Sequence, residues 1–237
     1  MEIVSGVHSM GNSMGGRVRA FLLDDGHDLT LVDTCFEPDA RLVLAEIQRI
    51  GRTPADLKRI VLCHGHRAHL GGLAALKRLT GARVYAHEWE VGIIEGKRQP
   101  PRISWLPAPP WRAYPLQLGF NLRLDNHAPC PVDEVLIDGK QVGPLVTVHT
   151  PGHTPGHCSF YWHERRVMMT GDIVATWPRL EPGWRAFHSD LTANRASVRK
   201  MVEFKPEALC VGHGDPVRNI GHERLMALVE EAERWIR

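Results

Sequence analysis

Three histidines stand close together in a short loop between a predicted strand and a predicted helix. Residues 59–62 form an apolar run typical of a buried strand, and residues 73–79 predict a helix that ends at Gly81. Glycines in the loop allow the backbone to pass closely. Neutral imidazole is the commonest metal ligand, and zinc favours it. The loop therefore predicts a metal site rather than three surface histidines in a chain that has 14. Its histidines are His64, His66 and His69.

Three segments further along the chain support the metal-site interpretation, because each follows a predicted strand. Residues 149–157 contain two successive Thr-Pro-Gly-His sequences, the first ending at His153 and the second at His157. A Gly-Asp pair follows the apolar residues 167–169 and supplies Asp172. A Gly-His-Gly-Asp segment follows residues 208–210 and supplies His213 and Asp215.

The order and spacing of these motifs resemble the metallo-β-lactamase fold superfamily of metallohydrolases over nearly the whole chain. The pattern of that superfamily is HxHxDH, then a TPGH histidine, a GD aspartate and a GH histidine. One position differs, because Ala68 stands where the superfamily has the aspartate of HxHxDH. An alanine methyl group neither binds a metal nor accepts a proton.

The resemblance implies an α/β fold, a four-layer αβ/βα sandwich in which two mixed β-sheets are flanked by helices. The alternation of apolar strands and helices in two halves of the chain agrees with layered α/β packing. Residues 1–237 are expected to form a single domain of this type, with a proline- and tryptophan-rich insertion at about 96–131.

The resemblance also implies how the ligands are shared between two metals. The first metal receives His64, His66 and His153, the second receives His69 and His213, and Asp172 bridges both. The second site lacks the aspartate at position 68, so its affinity is expected to be lower. The expected cofactor is Zn²⁺, one or two ions per chain, with iron or manganese as alternatives.

Two residues are expected to support the ligands from behind. Asp33 follows the predicted strand 29–32, and the resemblance implies that it orients a metal-bound histidine, as such carboxylates usually do. The alternative for Asp33 is a cap on the next turn. His157 is expected to play a supporting or structural role rather than to bind metal.

The resemblance implies that metal-activated water attacks a carbonyl or phosphorus centre. The catalytic candidates are Asp172, His69 and Asp215. The aspartate missing at position 68 normally also carries a proton to the leaving group. Asp215 is a candidate replacement, and a surface turn is its alternative role.

Aromatic residues in two loops are candidates for the substrate pocket. The insertion at 96–131 is too rich in proline for regular helix, and its tryptophans favour an ordered flap over a disordered linker. It is expected to form either a wall of the pocket or a contact between two copies of the chain. A second aromatic loop spans residues 177–188. The pocket candidates are Trp105, Trp111, Trp177, Trp184 and His188.

Composition limits the partners and the location that are expected. A formal charge of +2 argues against a nucleic-acid or acidic-membrane partner, and no apolar run has the length of a membrane span. The N-terminus has no apolar signal core, and five scattered cysteines are typical of buried, reduced thiols. We therefore expect a cytoplasmic protein that acts on a small molecule. If the insertion at 96–131 forms a contact between two copies of the chain, the protein is a homodimer.

The sequence favours a zinc-dependent hydrolase of an ester, lactone, thioester or related carbonyl compound. Only 24 residues follow His213, too few for the helical substrate domain of glyoxalase II-like thioesterases, and Asp172 stands where β-lactamases of this fold carry cysteine or serine. The tyrosine of N-acyl-homoserine lactonases is also missing, since Ala175 and Thr176 lie there.

Two other functions remain open at this point. One is a mononuclear iron oxygenase resembling persulfide dioxygenases, in which His64, His153 and Asp172 form a two-histidine, one-carboxylate triad. The other is a catalytically silent relative that binds metal without turnover, with Ala68 as a natural or introduced loss.

Overall fold

A computed structural model describes residues 1–13, 17–124 and 126–235, and these residues form two β-sheets. The first sheet has seven strands in sequence order, antiparallel from β1 to β4 and parallel from β4 to β7. Its strands are β1 (Glu2–Val4), β2 (Val7–Gly11), β3 (Arg19–Asp24), β4 (Leu29–Val32), β5 (Leu57–Val61), β6 (Arg83–His87) and β7 (Glu134–Leu136).

The second sheet has six strands in the order β13-β12-β11-β10-β9-β8. The β11–β12 pair is parallel, and the other neighbouring pairs are antiparallel. The strands are β8 (Gln141–Val142), β9 (Leu145–His149), β10 (Cys158–Trp162), β11 (Val167–Gly171), β12 (Ala208–Val211) and β13 (Val217–Arg218).

The two sheets pack face to face, and helices cover their outer faces. Alternate residues of a strand point to opposite faces, so in β3 Phe21 joins the core between the sheets while Leu22 joins the core under the helices. Phe160 of β10 lies in the core between the sheets from the other side. Both faces of these strands are buried, which explains why the strands read as continuous apolar runs.

Seven helices are described. On the first sheet, α1 and α3 supply Val43, Ile47, Leu73 and Leu76 to the outer core, and on the second sheet α6 and α7 supply Val198 and Leu228. The predicted four-layer αβ/βα sandwich is confirmed. The helices are α1 (Arg41–Arg49), α2 (Arg67–Leu70), α3 (Leu73–Thr80), α4 (Glu88–Ile94), α5 (Tyr114–Asn121), α6 (Leu191–Glu203) and α7 (Gly221–Arg234).

The insertion at 96–131 differs from the predicted irregular segment, because it contains α5. Pro115 lies in the first turn of this helix, where a missing backbone N–H costs nothing. Two buried amides tie the helix to the proline-rich chain before it. Gln117 Nε2 donates to the carbonyl of Leu106 at 2.9 Å, and Asn121 Oδ1 accepts from the N–H of Ile103 at 3.0 Å.

Two smaller expectations concern cysteines and membrane spans. All five cysteines are buried and unbridged, as their scattered spacing predicted. In the described part of the chain, no helix has the length and hydropathy to cross a membrane.

Candidate metal centre

The histidines and aspartate singled out from the sequence lie in segments that follow β5, β9, β11 and β12, with His69 in the short helix α2. These segments meet at one edge of the sandwich. The N–H of Cys158 donates to the carbonyl of Cys63 at 2.9 Å and so joins the two sheets there. The N–H of Thr34 donates to the carbonyl of His69 at 2.8 Å, which fixes α2 against the end of β4.

The Asp172 carboxylate lies at the centre of the cluster. Its Oδ2 is 3.1 Å from Nε2 of His213, 3.5 Å from Nε2 of His153 and 3.7 Å from Nε2 of His64. Its Oδ1 is 3.4 Å from Nε2 of His69. The five side chains are all buried.

His66 completes the set, because its Nδ1 lies 3.0 Å from Nε2 of His153. The structure thus brings together all six side chains that the sequence predicted as ligands. Two overlapping triads have donor atoms that all lie within 4.8 Å of one another, a spacing compatible with a shared metal ion. They are His64, His66 and His153, and His64, His69 and Asp172.

Several polar atoms of the cluster are buried without a hydrogen-bond partner among the described residues. They are both ring nitrogens of His64, Nε2 of His69, Nδ1 of His153 and Oδ1 of Asp172. Burying unpaired polar groups is costly unless a ligand satisfies them. Imidazole nitrogens with one carboxylate are a donor set that suits zinc and iron. The residues present therefore fit a divalent metal.

Most of the histidines are held neutral, which is the form that binds metal. Burial lowers the pKa of His66 to about 3, and neighbouring imidazoles oppose its protonation as well. Burial also lowers the pKa of His64 and His153 well below the usual range.

His69 and Asp172 behave differently because they stabilise each other's charge. Burial disfavours the charged form of His69, but the carboxylates of Asp172 and Asp33 outweigh it and raise the pKa of His69 to about 10. Burial likewise opposes the charge on Asp172, but His213 and His69 outweigh it and hold the pKa of Asp172 well below its usual range. The cluster therefore keeps one anionic ligand at neutral pH.

Asp33 contacts His69 from the side opposite the cluster. Its Oδ2 is 3.0 Å from Nδ1 of His69, and its Oδ1 accepts from the N–H of Cys63 at 2.9 Å. This contact turns Nε2 of His69 toward Asp172. The geometry matches the orienting role expected for Asp33 rather than a cap on the next turn.

His157 holds the main chain of Asp172 instead of pointing its own nitrogens at a metal position. Its Nε2 accepts from the N–H of Asp172 at 3.1 Å, and its Nδ1 is 3.0 Å from Oγ1 of Thr150. Burial lowers the pKa of His157 to about 3, so the ring stays neutral and keeps this acceptor. A Cβ on Gly171 would lie 2.4 Å from Nε2 of His157, which explains the glycine there.

Glu90 is a buried carboxylate that the sequence analysis missed. Its Oε2 accepts from the N–H of Gly65 at 3.0 Å, and its Oε1 accepts from the hydroxyl of Thr154. Gly65 lies between two of the predicted ligands, and Thr154 follows a third, so Glu90 links the two histidine loops. The side chain is 1% exposed, and burial raises the pKa of Glu90 to about 7.

The sequence did contain a sign of this buried carboxylate, but it lay in Gly65 and Gly156 rather than in Glu90 itself. A Cβ on Gly65 would lie 3.0 Å from Oε2 of Glu90, and one on Gly156 would lie 2.8 Å from Oε1. Each of the two histidine loops thus has a glycine at the point where the Glu90 carboxylate packs against its backbone. A glutamate in the first turn of a short helix is otherwise typical of a solvent-exposed position.

A cavity of about 200 Å³ opens beside the cluster on the side of Ala68. His66, His69, Asp172 and His213 form one side of it. The remaining lining is largely apolar and comes from α5 and the loop at 184–187, with Phe36. The Ala68 methyl group faces a space in which the superfamily pattern has a carboxylate.

The structure corrects part of the predicted pocket. Trp105 and Trp111 are 47% and 64% exposed and do not line the cavity. Phe120 from the same insertion lies there, with its ring centroid 4.7 Å from that of His66. Trp184 does line the cavity and stacks on His213 at 4.2 Å. Trp177 lies behind it, since its carbonyl accepts from Nε1 of Trp184 at 2.9 Å.

His188 and Asp215 lie away from the cavity. His188 contributes to a neighbouring space on the far side of His153, and its Nε2 donates to the carbonyl of Pro182 at 2.9 Å. The Asp215 side chain is 63% exposed and is paired with Arg19 at 2.7 Å. This ion pair does not support Asp215 as the proton donor, and the alternative role in a surface turn agrees with the geometry.

The geometry and fold define a class of metal-binding α/β-sandwich proteins, and comparisons with known proteins place this chain within it. A family model described as the metallo-beta-lactamase superfamily matches residues 14–213. The chain belongs to that superfamily. The match confirms the resemblance to this superfamily that the sequence motifs indicated.

Individual relatives are distant but cover most of the chain. The probable metallo-hydrolase YflN of Bacillus subtilis is 27% identical over 235 residues, which is 91% of this chain and 86% of the relative. The hydroxyacylglutathione hydrolase GloC of Haemophilus influenzae is 31% identical over 157 residues, 65% of each chain. The solved structure of the metallo-beta-lactamase family protein TTHA1429 from Thermus thermophilus has a TM-score of 0.69 and 23% identity and covers 98% of this chain and 81% of its own.

Proposed function

We propose that this protein is a metal-dependent hydrolase that cleaves esters, lactones or thioesters, with zinc as the metal. The observation that carries the proposal is the buried cluster of unpaired histidine and aspartate donor atoms at the side of an apolar cavity. A divalent metal bound there would act as a Lewis acid. It would also lower the pKa of a bound water molecule, so that hydroxide is available near neutral pH. The substrate is a small molecule that enters the cavity.

The residues of the chain divide into ligands and supports. His64, His66 and His153 would hold one metal, and His69 and His213 would hold a second, with Asp172 between them. Asp33 orients His69, and His157 fixes the main chain of Asp172. The two orienting contacts keep the donor atoms in place before any substrate arrives, which lowers the cost of ordering the site.

The alanine at position 68 bears on which leaving groups the site accepts. Asp172 is the only carboxylate among the described residues that line the cavity, and its pKa is held low by His213 and His69 despite its burial. The described cavity therefore offers no carboxylic acid to protonate a leaving group. Thiols and phenols leave readily as anions, whereas an amide nitrogen requires a proton. Thioesters and activated esters are accordingly the preferred substrates, and the GloC relative is named a hydroxyacylglutathione hydrolase, whose substrate would be a thioester.

The iron oxygenase alternative uses only three of the clustered side chains. His64, His153 and Asp172 would suffice for its triad, with 3.5 Å and 3.7 Å between the carboxylate and the two imidazoles. The oxygenase leaves His66, His69 and His213 without a role although they are buried in the same cluster. The hydrolase gives each of the six donors a role and is therefore preferred.

Hydrolysis of a thioester and a p-nitrophenyl ester, measured with zinc-loaded and chelator-treated protein, tests the proposal. We expect turnover that chelation abolishes and that Asp172→Asn reduces at least a hundredfold, because one donor to the metals is weakened. Arg166→Gln, on the exposed surface, is the matched control. Turnover of neither substrate by zinc-loaded protein would support the catalytically silent alternative and contradict the proposal.

A further inference from the structure

We infer that the cavity beside the cluster binds an uncharged, apolar acyl group. The inference rests on the proposed hydrolase function and adds the class of substrate to it. The cavity has a volume of about 200 Å³.

The lining chemistry disfavours a charged acyl group. Apart from the cluster and Arg67, the side chains that face the cavity are hydrocarbon or aromatic, and such surfaces favour apolar ligands by about fourfold in affinity for each methylene buried. Burial of a charged group against them would be unfavourable. These residues are Phe36, Pro115, Leu116, Phe120, Leu124, Trp184 and Phe187.

Arg67 is the only lysine or arginine among the described lining residues, and the protein already uses its guanidinium. Nη1 donates to the carbonyl of Phe36 at 2.6 Å, and Nε donates to the carbonyl of Asn126. The guanidinium also lies over the Phe36 ring at 4.3 Å from the centroid. A glutathione thioester carries two carboxylates, whereas Arg67 is the one lysine or arginine among the described lining residues, and two of its N–H groups are already bonded to carbonyls. The substrate class therefore differs from that in the name of the GloC relative.

Gly119 of α5 forms part of the cavity wall and offers a direct test. A Cβ added at this position meets no heavy atom within 4 Å. A leucine at this lining position adds three further carbon atoms beyond the Cβ, and we expect it to take up part of the cavity. Alanine, with a single methyl group, provides the graded step between glycine and leucine.

The experiment compares p-nitrophenyl esters from acetyl to dodecanoyl with lactoylglutathione, using zinc-loaded protein. We expect kcat/KM to rise about fourfold for each methylene that the cavity buries and to level off once the acyl chain is long enough to reach solvent. Gly119→Leu should lower the ratio of octanoyl to acetyl activity at least tenfold, with Gly119→Ala between it and the wild type. Equal activity on all acyl lengths, or a preference for lactoylglutathione, would overturn the inference.

A binding measurement separates the inference from the proposed function. Calorimetric titration of the protein with 2-octanone, an uncharged ketone that cannot be hydrolysed, reports the cavity without turnover. Binding to the wild type that Gly119→Leu weakens at least tenfold supports the cavity assignment even if no ester is cleaved, in which case only the hydrolase proposal fails. Equal binding of 2-octanone to both proteins, or none to the wild type, would overturn the assignment.

Discussion

At the scale of single residues, the account depends on how one carboxylate balances the charge of several buried imidazoles. Asp172 stays anionic because His213 and His69 stabilise its charge, and it keeps Oδ1 unpaired among the described residues. Around it, His64 and His153 stay neutral because burial opposes their protonation. This division leaves both a negative charge and free lone pairs for a cation.

The first residue-scale prediction concerns Ala68. Its methyl group faces the cavity beside His69, so the change Ala68→Asp adds a carboxylate next to the proposed second metal site. We expect more metal per chain and a higher affinity for the second ion, because a charged ligand strengthens a site built from two imidazoles and one carboxylate. Elemental analysis of both proteins measures this, with Ala68→Asn as the uncharged control. Identical stoichiometry in all three proteins would contradict the prediction.

The second residue-scale prediction concerns Glu90. Burial raises its pKa from the usual 4.5 to about 7, so the stability that its protonated form contributes is present below pH 4.5 and is lost as the pH rises through 7. Relative to Glu90→Gln, the metal-free wild type should therefore lose about 2 kcal/mol of unfolding free energy between pH 5 and pH 8. Urea unfolding across this range provides the measurement. A pH-independent difference between the two proteins would rule out this titration.

At the scale of secondary-structure elements, the site depends on the close approach of neighbouring strand ends. The parallel strands β11 and β12 end side by side, and the N–H of Gly212 donates to the carbonyl of Gly171 at 2.9 Å. A Cβ on Gly212 would lie 2.1 Å from Oδ1 of Asp172 and 2.9 Å from Cε1 of His69. Glycine at this position therefore leaves room for the carboxylate.

Gly212→Ala is the corresponding prediction. We expect it to displace the Asp172 side chain and to lower metal affinity at least tenfold, while the sheets still form because the strand cores are unchanged. A competition titration with a chromophoric zinc chelator measures the affinity. Gly119→Ala is the control: its Cβ meets open space, and it should leave the affinity unchanged and raise stability by up to about 1 kcal/mol, since alanine is the better helix former. Equal zinc affinity in both variants would contradict this reading of the strand ends.

The position of each residue in its secondary-structure element explains how much of the site could be predicted from the sequence. The clustered residues could be found because each follows a strand, and strand ends in a layered α/β fold meet at one edge. Trp105 and Phe120 could not be ranked as pocket residues, because aromatic composition does not indicate which side of an irregular segment faces inward. Glu90 resembled a surface glutamate of an amphipathic helix, and only the tertiary approach of Gly65 and Gly156 gives it a buried role.

At the scale of the whole molecule, the cluster joins loops from both sheets. His64, His66 and His69 follow strand β5 of the first sheet, while His153 and Asp172 follow strands of the second. A metal held by all of them would cross-link the two halves of the sandwich. Because a ligand that binds only the folded state stabilises it, metal binding should stabilise the entire fold.

Thermal unfolding with and without a chelator tests this cross-link. At metal concentrations about a thousandfold above Kd, binding adds about 4 kcal/mol, so removal of the metal should lower Tm by roughly 10 °C for a chain of this size. His64→Ala, which loses one ligand, should show a smaller drop in Tm on chelation than the wild type. An unchanged Tm in the chelated wild type would contradict the cross-link.

The expected homodimer and cytoplasmic location stay predictions.

The metal content per chain tests the central claim most directly. Elemental analysis of protein purified without added metal should find one to two equivalents of zinc, and Asp172→Ala should retain distinctly less. Iron in place of zinc would favour the oxygenase over the hydrolase. Less than about a tenth of an equivalent of any transition metal, in protein that also fails to take up zinc on addition, would contradict the interpretation of the cluster as a metal centre.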